Sequence, residues 1–286
     1  MPQVQIRGHD HYYEWVSQEP RQSGSKKKPV MVFLHGWGGS SRYWQPVAQS
    51  LSTDFDCLLY DLRGFGQSQD PIRASKAVEA YTIQSYVEDL AALLDALEIS
   101  QVFLQAHSMG STIGTLFLNQ YPQRVQQAIL ACSGLFEYDE QEFRQFHQVG
   151  EWVVRLRPRW LAQVPLLDRL CMARFLHRPI AADQRQGFVS DYVSADAVAA
   201  LGTLLSAVSE PVATAMAEEF AQLQISTLIV SGDKDQIVPA DSGEEAAALN
   251  SKIDYVRMAQ TGHFPMLEDT ETYLQHIHRF LTPVLC

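Results

Sequence analysis

One serine in this sequence stands where its hydroxyl could act as a nucleophile. Ser108 comes just after the apolar run Val102–Leu104 and just before a stretch with helical periodicity. A nucleophilic serine needs a tight turn between strand and helix, which small residues two positions before and after it allow. Ala106 and Gly110 provide those small residues. We therefore predict that Ser108 is the nucleophile and that the Met109 amide, at the positive end of the helix dipole, faces the oxyanion.

A glycine-rich loop after another apolar run could supply a second backbone donor. The residues that follow Val30–Leu34 are His35, Gly36, Trp37, Gly38 and Gly39. Glycine lets the backbone approach a ligand closely, so we predict that the Trp37 amide completes an oxyanion hole and that the other four residues support the loop. A phosphate-binding loop or a simple turn is the alternative. Neither the Gly-Lys-Ser/Thr ending nor the G-x-G-x-x-G spacing of phosphate loops is present.

Ser108 also needs a general base, because a serine hydroxyl at its ordinary pKa is a weak nucleophile. His263 follows the last predicted strand, which places it at the carboxyl edge of the sheet, where open α/β sheets bind ligands. His107 is the rival candidate. It adjoins Ser108 on the turn, however, and should point away from the hydroxyl. We predict that His263 is the base.

Two aspartates compete for the role of orienting that base. Asp233 and Asp235 both lie in the loop after the apolar run Thr227–Val230. Asp233 is closer to the strand end and follows a glycine, a common arrangement in turns. We therefore predict that Asp235 is the orienting acid. The resulting order of serine, aspartate and histidine along the chain is that of the nucleophile-elbow hydrolases.

These side chains require a framework of strands and helices that brings them to one edge. Buried strands are indicated by six short apolar runs: Val30–Leu34, Cys57–Tyr60, Val102–Leu104, Ala128–Cys132, Thr227–Val230 and Ile253–Val256. Apolar residues spaced three and four apart from Ile83 to Leu97 predict a helix behind an N-cap at Thr82. This alternation predicts an α/β fold with a mostly parallel sheet covered by helices. Residues 3–16 could add an antiparallel edge hairpin to this sheet. The stretch Arg21–Lys28 is typical of an exposed loop.

The alternation of strands and helices stops between residues 134 and 223. This segment has helical patterns and no convincing buried strand, so we predict that it is a helical cap inserted into a core formed by residues 1–133 and 224–286. From Arg144 to Arg178 it carries seven arginines and two acids, with tryptophan and leucine interspersed. Such a surface could contact a membrane or an anionic substrate. A solvated helix face with extended arginines is the alternative.

Composition restricts the class of protein further. The 286 residues are 46% hydrophobic and 19% charged, as in a globular protein. A formal net charge of -11 opposes binding to nucleic acid. The N-terminus has no apolar signal region and no window is apolar enough to span a bilayer, so we expect a cytoplasmic protein without an integral membrane segment. Four widely spaced cysteines indicate neither a metal site nor a disulfide framework.

At this point the sequence resembles the α/β-hydrolase superfamily, in its cap-bearing branch of esterases, C–C hydrolases, haloperoxidase-like enzymes and epoxide hydrolases. Five motifs in order carry the resemblance: residues 35–39, 61–68, 106–110, 232–239 and 262–265. The resemblance implies that Asp235 is the acid of a catalytic triad and that the inserted segment is a lid. Ala106 departs from the usual glycine but still fits a tight turn. A serine nucleophile argues against the dehalogenase and epoxide-hydrolase members.

Three functions follow from this resemblance. The first is hydrolysis of a carboxylic ester of a small to medium hydrophobic substrate through an acyl-enzyme. The second is hydrolysis of a C–C or amide bond, although C–C hydrolases have asparagine and tryptophan where this chain has His107 and Phe264. The third is a slow-turnover ligand sensor. We expect Trp37, His107 and Phe264 to contact a small-molecule ester or related carbonyl substrate, with no metal or organic cofactor, in a monomer or homodimer.

Overall fold

A computed structural model of the chain describes residues 2–18, 28–69, 77–136 and 140–285. Most of the predicted loop Arg21–Lys28 lies outside these ranges. The described residues form eight strands: β1 (Gln3–Ile6), β2 (His9–Val16), β3 (Val30–Leu34), β4 (Asp56–Tyr60), β5 (Val102–His107), β6 (Val125–Ala131), β7 (Thr227–Gly232) and β8 (Ile253–Met258). Each of the six predicted apolar runs corresponds to one of β3 to β8, which confirms the prediction, although Cys132 lies just beyond β6.

The eight strands make one sheet in the order β1-β2-β4-β3-β5-β6-β7-β8. Strands β3 to β8 run parallel to one another, whereas β1 pairs with β2, and β2 with β4, in antiparallel fashion. The predicted edge hairpin is therefore confirmed. Because the central strands are parallel, their carboxyl ends meet at one edge of the sheet.

Continuous apolar sequence explains why the central strands are buried on both faces. Every residue of β3, β4, β5 and β7 is buried. Burial on both faces removes the alternation of polar and apolar residues seen in half-exposed strands. Two strand ends differ from the prediction. β5 continues to His107, and β6 stops before Cys132, whose φ of 52° lies in the left-handed region that ends the strand.

Helices cover both faces of the sheet. They are α1 (Gln45–Leu51), α2 (Ile83–Ala96), α3 (Met109–Gln120), α4 (Glu140–Arg155), α5 (Leu167–Met172), α6 (Ala182–Ser194), α7 (Ala197–Ala207), α8 (Glu210–Ala221), α9 (Ala240–Ala248), α10 (Pro265–Glu268) and α11 (Thr270–Leu285). As predicted, Thr82 caps α2: its side chain accepts a hydrogen bond from the Ser85 amide at 3.2 Å. One apolar layer contains α2 and α3 side chains, and the other contains α1 and α11 side chains.

Five helices, α4 to α8, lie between β6 and β7. We call residues 134–223 the helical insertion. None of its described residues belongs to a strand. Among all described residues, no single helix is both long and apolar enough to cross a bilayer, although α6 and α7, bent by 99°, meet the requirement as a pair.

Candidate active site

Ser108 lies on a strained turn between β5 and α3. β5 ends at His107 and α3 begins at Met109, so a single residue makes the turn. Its φ of 53° and ψ of -122° are sparsely populated by residues other than glycine, and such conformations cost about 1–3 kcal/mol. Gly110 is needed for the close approach, because a Cβ there would lie 2.7 Å from the His35 carbonyl oxygen. The tight turn predicted from the small flanking residues is therefore present.

The structure brings Ser108, His263 and Asp235 into one hydrogen-bonded series. Ser108 Oγ lies 3.0 Å from His263 Nε2, and His263 Nδ1 lies 2.7 Å from Asp235 Oδ2. His263 and Asp235 are buried, and Ser108 is partly exposed. Asp233 instead forms an ion pair with Lys234 at 3.3 Å. Of the two aspartates that the sequence offered, Asp235 is the one in contact with the histidine.

The environment of Asp235 favours its ionised form and so determines the tautomer of His263. Burial alone would raise the pKa of Asp235, but its hydrogen bond and charge interaction with His263, together with backbone hydrogen bonds, hold that pKa below its usual value. The backbone donors are the amides of Ile237 and Val238, 2.7 Å and 3.1 Å from Oδ1. A carboxylate only accepts hydrogen bonds, so His263 Nδ1 carries the proton and Nε2 accepts from Ser108.

The glycine-rich loop approaches Ser108 from the end of β3. A Cβ on Gly36 would lie 3.2 Å from the Cβ of Ser108, so the two backbones are close. His35 fixes the loop from below: its Nδ1 donates to the Gly36 carbonyl at 2.8 Å, and its Nε2 accepts from the Leu62 amide at 3.0 Å. Within the described part of the chain, the amides of Trp37 and Met109 have no hydrogen-bond acceptor. Both amides are therefore available to a ligand oxygen.

His107 joins the glycine loop to the His263 loop inside the protein. Its Nε2 lies 2.7 Å from the His263 carbonyl oxygen, and its Nδ1 lies 2.9 Å from the Tyr43 hydroxyl, which accepts from the Gly36 amide. Since a carbonyl only accepts, Nε2 donates and Nδ1 accepts from Tyr43. Burial and the neighbouring His263 lower the pKa of His107 well below its usual value, so the ring is neutral. This geometry does not support the expectation that His107 contacts substrate.

The other two residues expected to contact substrate also have protein partners. The Trp37 indole nitrogen donates to the Ala200 carbonyl in α7 at 2.8 Å, and its ring lies 5.7 Å from that of Tyr192 in α6. Phe264 is buried, with its ring 4.8 Å from His107. The glycine loop is thus attached to the helical insertion through Trp37.

Sequence reasoning missed three further polar side chains around the site, and two of them, Glu268 and Asp191, connect it to the insertion. Glu268, buried in α10, accepts hydrogen bonds from the amides of Gly262 and Phe264 and, from the insertion, of His177 and Arg178. Asp191 in α6 accepts from the Ser40 hydroxyl and from Arg42, both at 2.6 Å. Tyr43 has the role described above. The bonds from Glu268 to His177, from Asp191 to Ser40 and from Tyr43 to His107 join residues 64 or more positions apart, so nothing in the local sequence signals them.

A cavity of about 190 Å³ lies between the insertion and the core. Its lining includes Tyr43, Phe264 and Phe188 but not Ser108. A possible metal-ligand cluster is also present, since ligand atoms of His107, Cys132 and His263 lie within 4.8 Å of one another. Both imidazoles in it already have hydrogen-bond partners at both nitrogens. The cluster is thus part of the hydrogen-bond network around Ser108.

Comparisons with known proteins agree with this fold. The sequence profile described as alpha/beta hydrolase fold matches residues 29–270. An uncharacterized protein of Mycobacterium tuberculosis is 26% identical over 262 residues, covering 88% of this chain and 75% of that one. A hydrolase from Pseudomonas aeruginosa superposes with a TM-score of 0.80 and 19% identity over 98% of this chain and 97% of that one. A thermophilic esterase from Thermogutta terrifontis superposes with a TM-score of 0.79 and 20% identity over 100% of both chains.

Proposed function

The chain belongs to the alpha/beta hydrolase fold family, and on that premise we propose that it is a serine hydrolase that cleaves carboxylic esters of small to medium hydrophobic substrates. The observation that carries the proposal is the series Ser108, His263, Asp235, with distances of 3.0 Å and 2.7 Å. Nucleophile, base and orienting acid within hydrogen-bond reach are the signature of an activated serine.

The first half of the reaction forms an acyl-enzyme. His263 Nε2 takes the proton of Ser108 as Oγ attacks the ester carbonyl carbon, and the carbonyl oxygen becomes an oxyanion. Asp235 stabilises the imidazolium that results and keeps the ring in its orientation. The tetrahedral intermediate then collapses, and the leaving alkoxide receives the proton from Nε2. In the second half, a water activated by His263 attacks the acyl-enzyme, which releases the acid and regenerates Ser108.

The amides of Trp37 and Met109 are the proposed oxyanion donors. Each lacks an acceptor within the described residues, and the two flank Ser108 from the glycine loop and from the start of α3. Fixed donors aimed at the developing charge need no reorganisation during the reaction. Loss of one such donor typically costs about 3–4 kcal/mol of transition-state stabilisation.

The substrate preference is proposed from the surroundings of the site. Aromatic rings of Tyr43, Phe175 and Phe264 lie near His107 and His263, which favours an apolar group in the substrate. In this proposal residues 1–133 and 224–286 carry the chemistry and residues 134–223 form a lid. The Phe175 carbonyl, which accepts from the His263 amide at 2.7 Å, supports that role because it attaches the insertion directly to the base.

The test is turnover of p-nitrophenyl esters of increasing acyl length by wild type, Ser108→Ala and Ser111→Ala, with a fluorophosphonate probe to label the nucleophile. Ser111 is the matched control, since it lies one turn along α3 and its hydroxyl donates to the Ala131 carbonyl. We expect kcat to fall by at least about 10⁴-fold in Ser108→Ala. Ser111→Ala should stay within a few fold of wild type and retain labelling.

Two outcomes would contradict the proposal in different ways. Labelling at Ser108 without ester turnover would keep the nucleophile but reject the ester as the substrate class. Turnover and labelling that persist in Ser108→Ala would reject the nucleophile itself.

A further inference from the structure

The exposed large apolar side chains of this protein are concentrated in one stretch of chain. Eight of them lie within the described residues 149–170: Val149, Trp152, Val153, Leu156, Trp160, Val164, Leu166 and Leu170. Only Phe136 and Leu249 are comparably exposed elsewhere among the described residues. Trp152 is 66% exposed and Leu170 is 73% exposed. Concentrated exposed apolar groups on a protein surface mark an interaction site.

The helical part of this stretch has a regular pattern. On α4, Val149, Trp152 and Val153 are spaced three and one residues apart, so they share one face of the helix, and the exposed Leu156 follows directly after the helix ends at Arg155. A different face, containing Gly150 and Val154, is buried in the protein. The exposed apolar face is therefore additional to the face that holds α4 in the fold.

Arginines accompany these apolar residues. Arg155, Arg159, Arg169 and Arg174 are all exposed. Arg155 forms an ion pair with Glu151 at 2.6 Å, whereas Arg159, Arg169 and Arg174 have no ion pair among the described residues. We call residues 149–174 the tryptophan-arginine segment. Exposed tryptophan beside arginine suits the boundary between lipid headgroups and acyl chains, where the ring is half in an apolar medium.

Charge identifies the kind of partner. The whole chain carries a formal net charge of -11, but the surroundings of this segment, Arg144 to Arg178, have seven arginines, of which Arg157 is buried, and two acids. A positive apolar surface on a negative protein favours an anionic partner at that surface alone. A symmetric dimer through the same face would bring like charges together, which is unfavourable.

We propose that the tryptophan-arginine segment docks this protein on a membrane surface that contains anionic lipid. The tryptophans and leucines enter the interfacial layer, and the arginines remain at the phosphate level. This inference is independent of the proposed hydrolase function, because no residue of the Ser108 series takes part in it.

The test is binding to large unilamellar vesicles, measured by flotation, with pure phosphatidylcholine compared with an equimolar mixture of phosphatidylcholine and phosphatidylglycerol. We expect wild type to bind the mixed vesicles at least about tenfold more tightly, since each arginine near an anionic surface contributes about 1 kcal/mol. High salt should weaken this preference. Brominated acyl chains should quench tryptophan fluorescence, which reports insertion rather than adsorption.

Two sets of substitutions assign the binding to the segment. Arg159→Gln, Arg169→Gln and Arg174→Gln together should weaken binding to mixed vesicles by about 100-fold. Trp152→Ser with Trp160→Ser should abolish the quenching. The matched controls change exposed residues outside the segment, Leu249→Ser and Arg279→Gln, and should bind as wild type. Ser108→Ala should also bind as wild type, which separates this test from that of the hydrolase.

Three outcomes would overturn the proposal. The first is absence of vesicle binding, and the second is equal loss of binding in the control variants. The third is a dimer, detected by sedimentation velocity without vesicles, that dissociates in the Trp152→Ser and Trp160→Ser variant. That result would assign the apolar face to a second copy of the chain.

Discussion

The carboxyl edge of the sheet and the outer surface of the helical insertion differ in how far their side chains are buried and paired. At the sheet edge, His263 and Asp235 are buried, and each has its hydrogen-bond partners inside the protein. On the insertion, Trp152 and Trp160 are exposed and unpacked. A site for chemistry must be held rigid before the substrate arrives, whereas an interaction surface is completed by its partner. The difference separates the proposed catalytic site from the proposed membrane-docking surface.

The two regions nevertheless meet at the glycine loop and the His263 loop. Trp37 and Ser40 bond to the insertion from the first loop, and Glu268 bonds to it next to the second. Any displacement of the insertion would therefore act on both sides of Ser108. The predictions below test how independent the two regions are.

The largest effect is expected at the sheet edge, from Asp235→Asn. The amide would favour the wrong tautomer of His263, and kcat should fall by about 10⁴-fold. Asp233→Asn is the matched control, since Asp233 is two residues away and pairs with Lys234. Steady-state kinetics on a p-nitrophenyl ester measures both. A larger loss in Asp233→Asn than in Asp235→Asn would reverse the assignment of the acid.

The stability contributed by the contact of Asp191 with Ser40 and Arg42, where the insertion meets the core, should depend on pH. Burial raises the pKa of Asp191 to about 6, against opposing effects of the Ser40 hydroxyl and Arg42. Because this pKa is above the unfolded value of 3.8, Asp191 binds a proton more tightly in the folded state than in the unfolded state. The free energy of unfolding, relative to Asp191→Asn, should therefore decline by up to about 3 kcal/mol as the pH rises from about 4 to about 6.

Urea unfolding of both proteins across this pH range measures the decline. Asp54→Asn is the control, because Asp54 is exposed and lies outside the helical insertion. It should follow the wild-type curve. Parallel curves for wild type and Asp191→Asn would show that the carboxyl group does not titrate in this range.

Sequence reasoning succeeded where one short segment determines the structure. The runs that became β3 to β8 are apolar at nearly every position, and only a strand buried on both faces tolerates that composition at such lengths. The turn that carries Ser108 was predictable for the same reason, because its strand, turn and helix are all local. Asp235, which the sequence favoured over Asp233, is the aspartate whose Oδ2 contacts His263.

The contacts that sequence reasoning did not find join side chains that are distant along the chain. His107 adjoins Ser108 along the chain, but its bonds go to Tyr43 and to the His263 carbonyl, 64 and 156 residues away. Glu268 bonds across 91 residues to His177. No periodicity or motif encodes such pairs, because they arise only when strand ends and loops are brought together by the fold.

Tyr43→Phe tests whether this buried network acts on catalysis or only on stability. Loss of the hydroxyl leaves the Gly36 amide and His107 Nδ1 without partners, which should cost about 1–2 kcal/mol of folding stability and reduce kcat by about tenfold. Tyr60→Phe is the matched control, since the Tyr60 hydroxyl bonds to His11 Nδ1 at 2.8 Å, in β2 rather than in the glycine loop or the His263 loop. It should lose similar stability with unchanged kcat. Equal kcat losses in both variants would assign the effect to general loosening of the fold.

The smallest effect is expected on the insertion, at the exposed ion pair between Glu151 and Arg155. The pair is spaced i,i+4 on α4 and joins atoms 2.6 Å apart, but exposed pairs of this kind contribute only about 0.3–0.5 kcal/mol. Glu151→Gln should lower the free energy of unfolding by that amount at low salt. It should also strengthen binding to anionic vesicles by about fivefold, because the segment gains one net positive charge. A fall in stability above about 1 kcal/mol, measured by urea unfolding, would mean that this surface is part of the packed structure and would remove the contrast with the sheet edge.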